Sequence, residues 1–183
     1  NENKVEIDRK IAGLLCSAIL SDTLLFRSPT CTAVDKAAAL ELAEIAGVDA
    51  ESLAKEMFEA GSKLKGKTDS EIFYQDFKRF TAGKLTFGVG QITSLNVEEL
   101  GKIKERLIEY IGEARNEQKV DMMFFMMTNI LEQSTELICD GQGAEQLAAL
   151  AFHLKEGAKV VTLPGVVSRK KQLIPALMIA TEQ

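Results

Sequence analysis

Histidine is almost missing from this chain: His153 is the only one in 183 residues. A single imidazole cannot build a multi-histidine metal centre, and nothing pairs it with a nucleophile, so it reads as a surface or packing residue. Cysteine is scarce too. Cys16, Cys31 and Cys139 are odd in number and widely spaced. They make neither a metal-ligand spacing nor a disulfide framework, which favours a reducing cytosol and predicts a cytoplasmic protein. No apolar run approaches the roughly 18 residues that span a bilayer, and no signal peptide opens the sequence. Basic excess is absent as well. The net charge of −5 argues against a general nucleic-acid or membrane-surface binder, so any cationic site must be local. No internal repeat and no low-complexity segment are found. The first residue is Asn rather than Met, so the chain is expected to have been cut or processed upstream.

What is present suits a soluble domain, or a domain plus a fragment: 46% of residues are hydrophobic, enough for a core, and 27% are charged. The local cationic site is Gly165-Val-Val-Ser-Arg-Lys-Lys-Gln172. Two valines read as the end of a buried strand, three cations follow, and Pro175 suits the first turn of a helix. Arg169 can grip two oxygens of a phosphate with its planar fork, and Lys170 adds a point charge. Backbone N–H groups at the helix start would point the same way. A solvated basic corner is the plainer reading, and composition alone does not separate the two.

Along the chain, Ile7, Ile11, Leu14, Leu15 and Ala18 recur at helical spacing, predicting a helix from Glu6 to about Leu25, before Ser28-Pro29. Asp22 falls in its last turns, where the helix dipole disfavours a negative charge. Either Arg27 offsets it or a metal ion does. Thr32 and Asp35 form a capping box for a second helix striped by Val34, Ala38, Leu42 and Ile45 and ended by Gly47. Asp49 caps a third, with Leu53 and Met57 inside. The basic stretch Gly61-Ser-Lys-Leu-Lys-Gly-Lys67 reads as a linker.

Beyond it, Thr68 and Glu71 open a short helix. A hairpin turns at Ala82-Gly83, with Lys78 at the switch from helix to strand. Gly88-Val-Gly90 lacks the context of a phosphate loop and suits close packing instead. Asn96 and Glu99 open a long helix with Val97, Leu100, Ile103, Leu107, Ile111 and Ala114 on one face. The apolar run Val120–Leu131 reads as a central strand covered on both sides, its methionines filling core gaps. A strand near Leu137–Cys139, the turn Asp140-Gly-Gln-Gly143, a helix over Ala144–Leu154 carrying His153, and a strand over Lys159–Leu163 complete the pattern. The fold class is therefore α/β, a helical segment followed by a domain with a mixed β-sheet flanked by helices.

Leu15-Cys-Ser-Ala-Ile-Leu-Ser-Asp-Thr-Leu-Leu-Phe-Arg-Ser-Pro-Thr-Cys-Thr32, then Glu41-Leu-Ala-Glu-Ile-Ala-Gly-Val-Asp49 and the Ser168-Arg-Lys-Lys-Gln172 corner, together resemble the family II (manganese-dependent) inorganic pyrophosphatases of the DHH phosphoesterase superfamily. The resemblance covers the chain but only the C-terminal portion of the family's length. It implies that residues 1–63 are the helical tail of a metal-binding domain with the start of a hinge, and 64–183 the substrate-binding domain. It implies pyrophosphate held between two domains, paired Mn²⁺ or Co²⁺, Mg²⁺ with the substrate, and a metal-activated water attacking phosphorus in line. By position, Asp22 would be a metal ligand. Lys78, Ser168, Arg169 and Lys170 would bind phosphate, with Arg169 and Lys170 spreading charge in the transition state. The full-length parent would be a homodimer.

No Asp-His-His triplet occurs in the sequence, so the segments with the remaining ligands are missing and this chain alone is expected to be inactive. The alternatives are an exopolyphosphatase-like phosphoanhydride hydrolase, or a non-catalytic module binding a phosphate ligand or a protein.

Overall fold

The computed structural model describes residues 6–61, 64, 66–95 and 97–182. The chain divides into two compact units between Gly61 and Ser62. Ser62, Lys63 and Lys65 of the expected linker, and Asn96 of the expected helix start, lie outside the described residues.

The first unit holds helices α1 (Arg9–Asp22), α2 (Ala33–Ala46) and α3 (Ala50–Gly61). Its caps are the expected ones. Thr32 and Asp35 form a reciprocal capping box, Gly47 ends α2 in a left-handed conformation, and Asp49 accepts from Ser52 N. Of the predicted stripes, Leu42 is buried and Ile7 packs against the core, but most of their other members do not. The faces that pack are Ala12, Cys16 and Leu20 of α1 against Ala39, Leu42, Ala43 and Ala46 of α2. Ile11, Leu14, Leu15, Val34 and Ile45 are exposed. Small side chains won the interface because they let the helices approach closely, and Arg9 Nε donates 2.6 Å to Ala46 O across it. The first helix also ends at Asp22 rather than Leu25. Thr23 Oγ1 bonds Ile19 O at 2.7 Å, and Leu24, Leu25 and Phe26 turn left-handed at φ 49°, 51° and 65°. That turn folds Leu25 and Phe26 back onto the helical core.

The second unit contains α4 (Asp69–Phe73), β1 (Phe77–Ala82), β2 (Leu85–Ser94), α5 (Val97–Gln118), β3 (Met122–Asn129), β4 (Ser134–Asp140), α6 (Ala144–Ala151) and β5 (Val160–Pro164). A π-helical turn, Arg169–Leu173, then leads into α7 (Ile174–Ala180). The strands lie in sequence order, with only β2 and β3 parallel. Every residue of β3 is buried, as its unbroken apolar run requires. Phe87, Val89, Phe124, Leu137 and Val161 point to one face, where Leu147 of α6 and Leu173 and Leu177 near the C-terminus cover them. Ile92, Met123, Phe125 and Met127 point to the other, under α5 and Phe73. Three layers result, with a mixed sheet in the middle.

Several local expectations shift. The strand before the corner stops at Pro164, so Val166 and Val167 are buried beyond it rather than in it. Val97 is 54% exposed although the rest of its stripe is buried. His153 falls past the end of α6 at φ 53°, on the surface. Gly90 confirms close packing as the reason for its glycine. A Cβ there would lie 2.5 Å from Phe125 Cδ2 and 3.0 Å from Phe73 O. Burial pushes the Cys139 thiol up to about 12 and raises that of Cys16, so neither is a thiolate at neutral pH.

Asp140 ties three elements together, accepting from Arg115 of α5 at 2.7 Å and from Lys159 ahead of β5. Burial pushes its carboxyl up, but the bonds from Lys159 and Arg115 outweigh that, and the net shift is downward. A carboxylate depressed on folding stabilises above its unfolded pKa and loses that contribution as pH falls through the folded value. The acid limb of the stability profile, below about pH 4, should therefore flatten in Asp140→Asn; urea midpoints across pH 2–7 measure it. A second expectation concerns metal. The core residues Phe87, Val89, Phe124, Phe125, Ile130 and Val161 are all buried, and their hydrocarbon side chains offer a metal ion no ligand. The thermal midpoint should be the same with and without EDTA, and a drop of several degrees would imply a structural ion.

Candidate phosphate site

The cationic corner is built as a closed loop. Gly165 turns the chain at φ 76°, and its N–H donates to Gln133 O at 2.7 Å. Gln172 ties the loop: its Oε1 accepts from Val167 N and Ser168 N at 2.9 and 3.0 Å, and its Nε2 donates 2.6 Å to Gly165 O. Ser168 Oγ accepts from Lys171 N at 3.2 Å and caps the π-turn. Underneath, Thr135 Oγ1 donates 2.6 Å to Val166 O, and Gln91 Nε2 reaches Val167 O at 3.3 Å. The corner is thus pinned to β2 and β4 by buried or half-buried hydrogen bonds.

Arg169 is the only charged side chain buried among the described residues. It does not project into solvent. Its Nη1 donates to Asp76 O at 2.7 Å and Val89 O at 3.2 Å, and its Nη2 to Asp76 Oδ1 at 2.6 Å. Val89 stands directly opposite Lys78 in the β1–β2 register, and Asp76 lies two residues before Lys78. Arg169 therefore joins the corner to the stretch of β1 that carries Lys78. Lys78, Lys170 and Lys171 are exposed, and none has an ion pair among the described residues. The two expected substrate regions, distant in sequence, are one region of the fold.

Asp22 belongs to the other unit. It is exposed at the last position of α1, and Arg27, the cation expected to offset it, turns its Nη1 to Leu25 O at 3.4 Å instead. Among the described residues no group of three or more His, Cys, Asp or Glu side chains can hold a metal ion. One exposed carboxylate does not fit a paired metal centre, and these residues alone do not complete one. Also among them, no helix is long and apolar enough to cross a membrane.

Asp76, Gln91, Gln172 and Thr135 escaped the sequence reading. Gln172 lies in the cationic motif, but its residue type names no role there, and the others carry no local signal. Their roles come from contacts 4 to 93 residues away in sequence.

The fold is an α/β domain with a mixed sheet, and its cationic corner faces the β1 hairpin. The chain belongs to the DHHA2 domain family, whose profile matches residues 55–180. It is 42% identical over 176 residues to the manganese-dependent inorganic pyrophosphatase of Bacillus subtilis, covering 96% of this chain and 57% of that protein. It is likewise 42% identical over 176 residues to the cobalt-dependent inorganic pyrophosphatase of Clostridium perfringens, with 96% and 32% covered. A crystal structure from Methanococcus jannaschii, described as a candidate family II inorganic pyrophosphatase, superposes with a TM-score of 0.84 at 36% identity. That match covers 98% of this chain and 58% of the other. The resemblance drawn from the sequence motifs thus extends along the chain, which spans about a third to three-fifths of these relatives' length.

Proposed function

We infer that this chain is the C-terminal part of a cytoplasmic inorganic pyrophosphatase, with residues 1–63 a tail of the metal-binding domain and 64–183 the substrate-binding domain. The parent hydrolyses pyrophosphate to two phosphates with Mn²⁺ or Co²⁺, takes Mg²⁺ with its substrate, and is a homodimer. Within this part, Lys78, Ser168, Arg169 and Lys170 bind the phosphates, and Asp22 is a metal ligand completed by residues outside the chain. The observation that carries the reading is the reach of Arg169 from the corner to the β1–β2 pair, which unites Lys78 with Arg169 and Lys170. Three consecutive left-handed residues just after Asp22 add support for that position. Such conformations cost about 1–2 kcal/mol each and collect where function demands them.

The chain alone should release no phosphate from pyrophosphate with Mn²⁺, because one exposed carboxylate cannot hold the metals that activate water. The same chain extended upstream to its relatives' length should turn over. A phosphate-release assay on both decides it. Turnover by the chain alone, or inactivity of the extended protein on pyrophosphate with activity on longer polyphosphates, would overturn the reading.

A further inference from the structure

The one buried cation of the corner is held by a residue that no motif marked. Asp76 gives Arg169 two acceptors, its carbonyl to Nη1 at 2.7 Å and its Oδ1 to Nη2 at 2.6 Å, while Val89 O takes the other Nη1 hydrogen at 3.2 Å. Arg169 is 8% exposed at its side chain and Asp76 is 52% exposed, so the anchor sits at the rim and the guanidinium behind it. These bonds spend both Nη1 hydrogens and one of Nη2. The Nε hydrogen and the second Nη2 hydrogen have no acceptor among the described residues. They form the adjacent pair with which a guanidinium grips two oxygens of one phosphate.

We propose that Asp76 is a positioning residue: by occupying the outer edge of the Arg169 guanidinium, it leaves the Nε–Nη2 edge fixed and open for a phosphate. This rests on the reading of the corner as a pyrophosphate site. It also runs against simple electrostatics. A carboxylate beside a bound anion repels it, so removing Asp76 should tighten binding if its charge were all that mattered. If Asp76 orients the fork, removing it loosens binding, because Arg169 then has to be ordered at the moment the anion arrives.

The experiment is an NMR titration of the whole chain with pyrophosphate in metal-free buffer, following the Arg169 Nε–H signal. Thermal midpoints confirm that each variant is folded. Asp76→Ala is expected to weaken binding about tenfold, the worth of one charge-assisted bond. Its free Nε–H signal should broaden. Asp76→Asn keeps an oxygen at the same place without the charge and should bind at least as tightly as the unmodified chain. If the alanine variant does not fold, Asp76→Ser, too short to reach Nη2, replaces it. Equal or tighter binding by the alanine or serine variant overturns the inference, and so does an asparagine variant as weak as the alanine one. Lys170→Ala separates the two levels. Its loss of affinity with Asp76→Ala unchanged leaves the phosphate site standing and removes only the role of Asp76. An unmodified chain that does not bind removes both.

Discussion

Gly141→Ala is expected to destabilise the second unit more than any other single methyl addition at a turn. Gly141 lies at φ 107°, and a Cβ there would stand 2.3 Å from Asp121 O and 3.0 Å from Met122 Cα. Neither contact is with the tip of a flexible side chain, so relief requires moving the start of β3. Overpacking and an unfavourable φ each cost about 1–3 kcal/mol, so a loss on the order of 3 kcal/mol or more follows. Gly83→Ala is the matched control. Its φ is 60°, but nothing lies within 4 Å of the added carbon. It should cost only about 1 kcal/mol. Urea unfolding of the two variants separates the steric term from the conformational one, and similar losses would show that the packing around Gly141 yields.

Arg169→Lys should lower the stability of this chain and, under the proposed function, the turnover of the upstream-extended protein. An ammonium keeps the charge but cannot reach Asp76 O, Asp76 Oδ1 and Val89 O together, as the guanidinium does. Loss of such bonds at a buried site costs about 1.5–3 kcal/mol. In the upstream-extended protein the fall should lie mainly in kcat, if the contact tightens in the transition state. Unchanged kinetics and an unchanged midpoint would return the corner to a solvated basic patch.

The sequence made the second unit legible because its signals are local. The run from Val120 could only be a doubly covered strand, and β3 is buried throughout. The capping box at Thr68 is present as written, as is the one at Thr32 in the first unit. The first unit misled because its helices pack through alanine. The larger Ile11, Leu14 and Leu15 form the more conspicuous stripe, yet Ala12 and Cys16 are the buried ones. Periodicity weighs side-chain size, whereas close helix approach rewards its absence.

The candidate site divides in the same way. The three cations of the corner stand together in the sequence, so they were visible there. Lys78 was visible only by resemblance, since one lysine on a hairpin is ordinary. Nothing local marks Asp76, because its partner lies 93 residues away. The inward fold of the Arg169 side chain was not legible either. A cation beside two others reads as solvent-facing until the backbone of β1 and β2 is seen to receive it.

Calorimetric titration of this chain with pyrophosphate in metal-free buffer decides whether Lys78, Arg169 and Lys170 form one anion site, as proposed. Charge-assisted contacts of about 1.5–3 kcal/mol each, offset by the entropy of association, give a Kd on the order of 1 mM. Added salt should weaken it, because the lysines are exposed. Lys170→Ala should bind more weakly still at an unchanged thermal midpoint. No binding, or binding that ignores both salt and the loss of Lys170, would contradict the account.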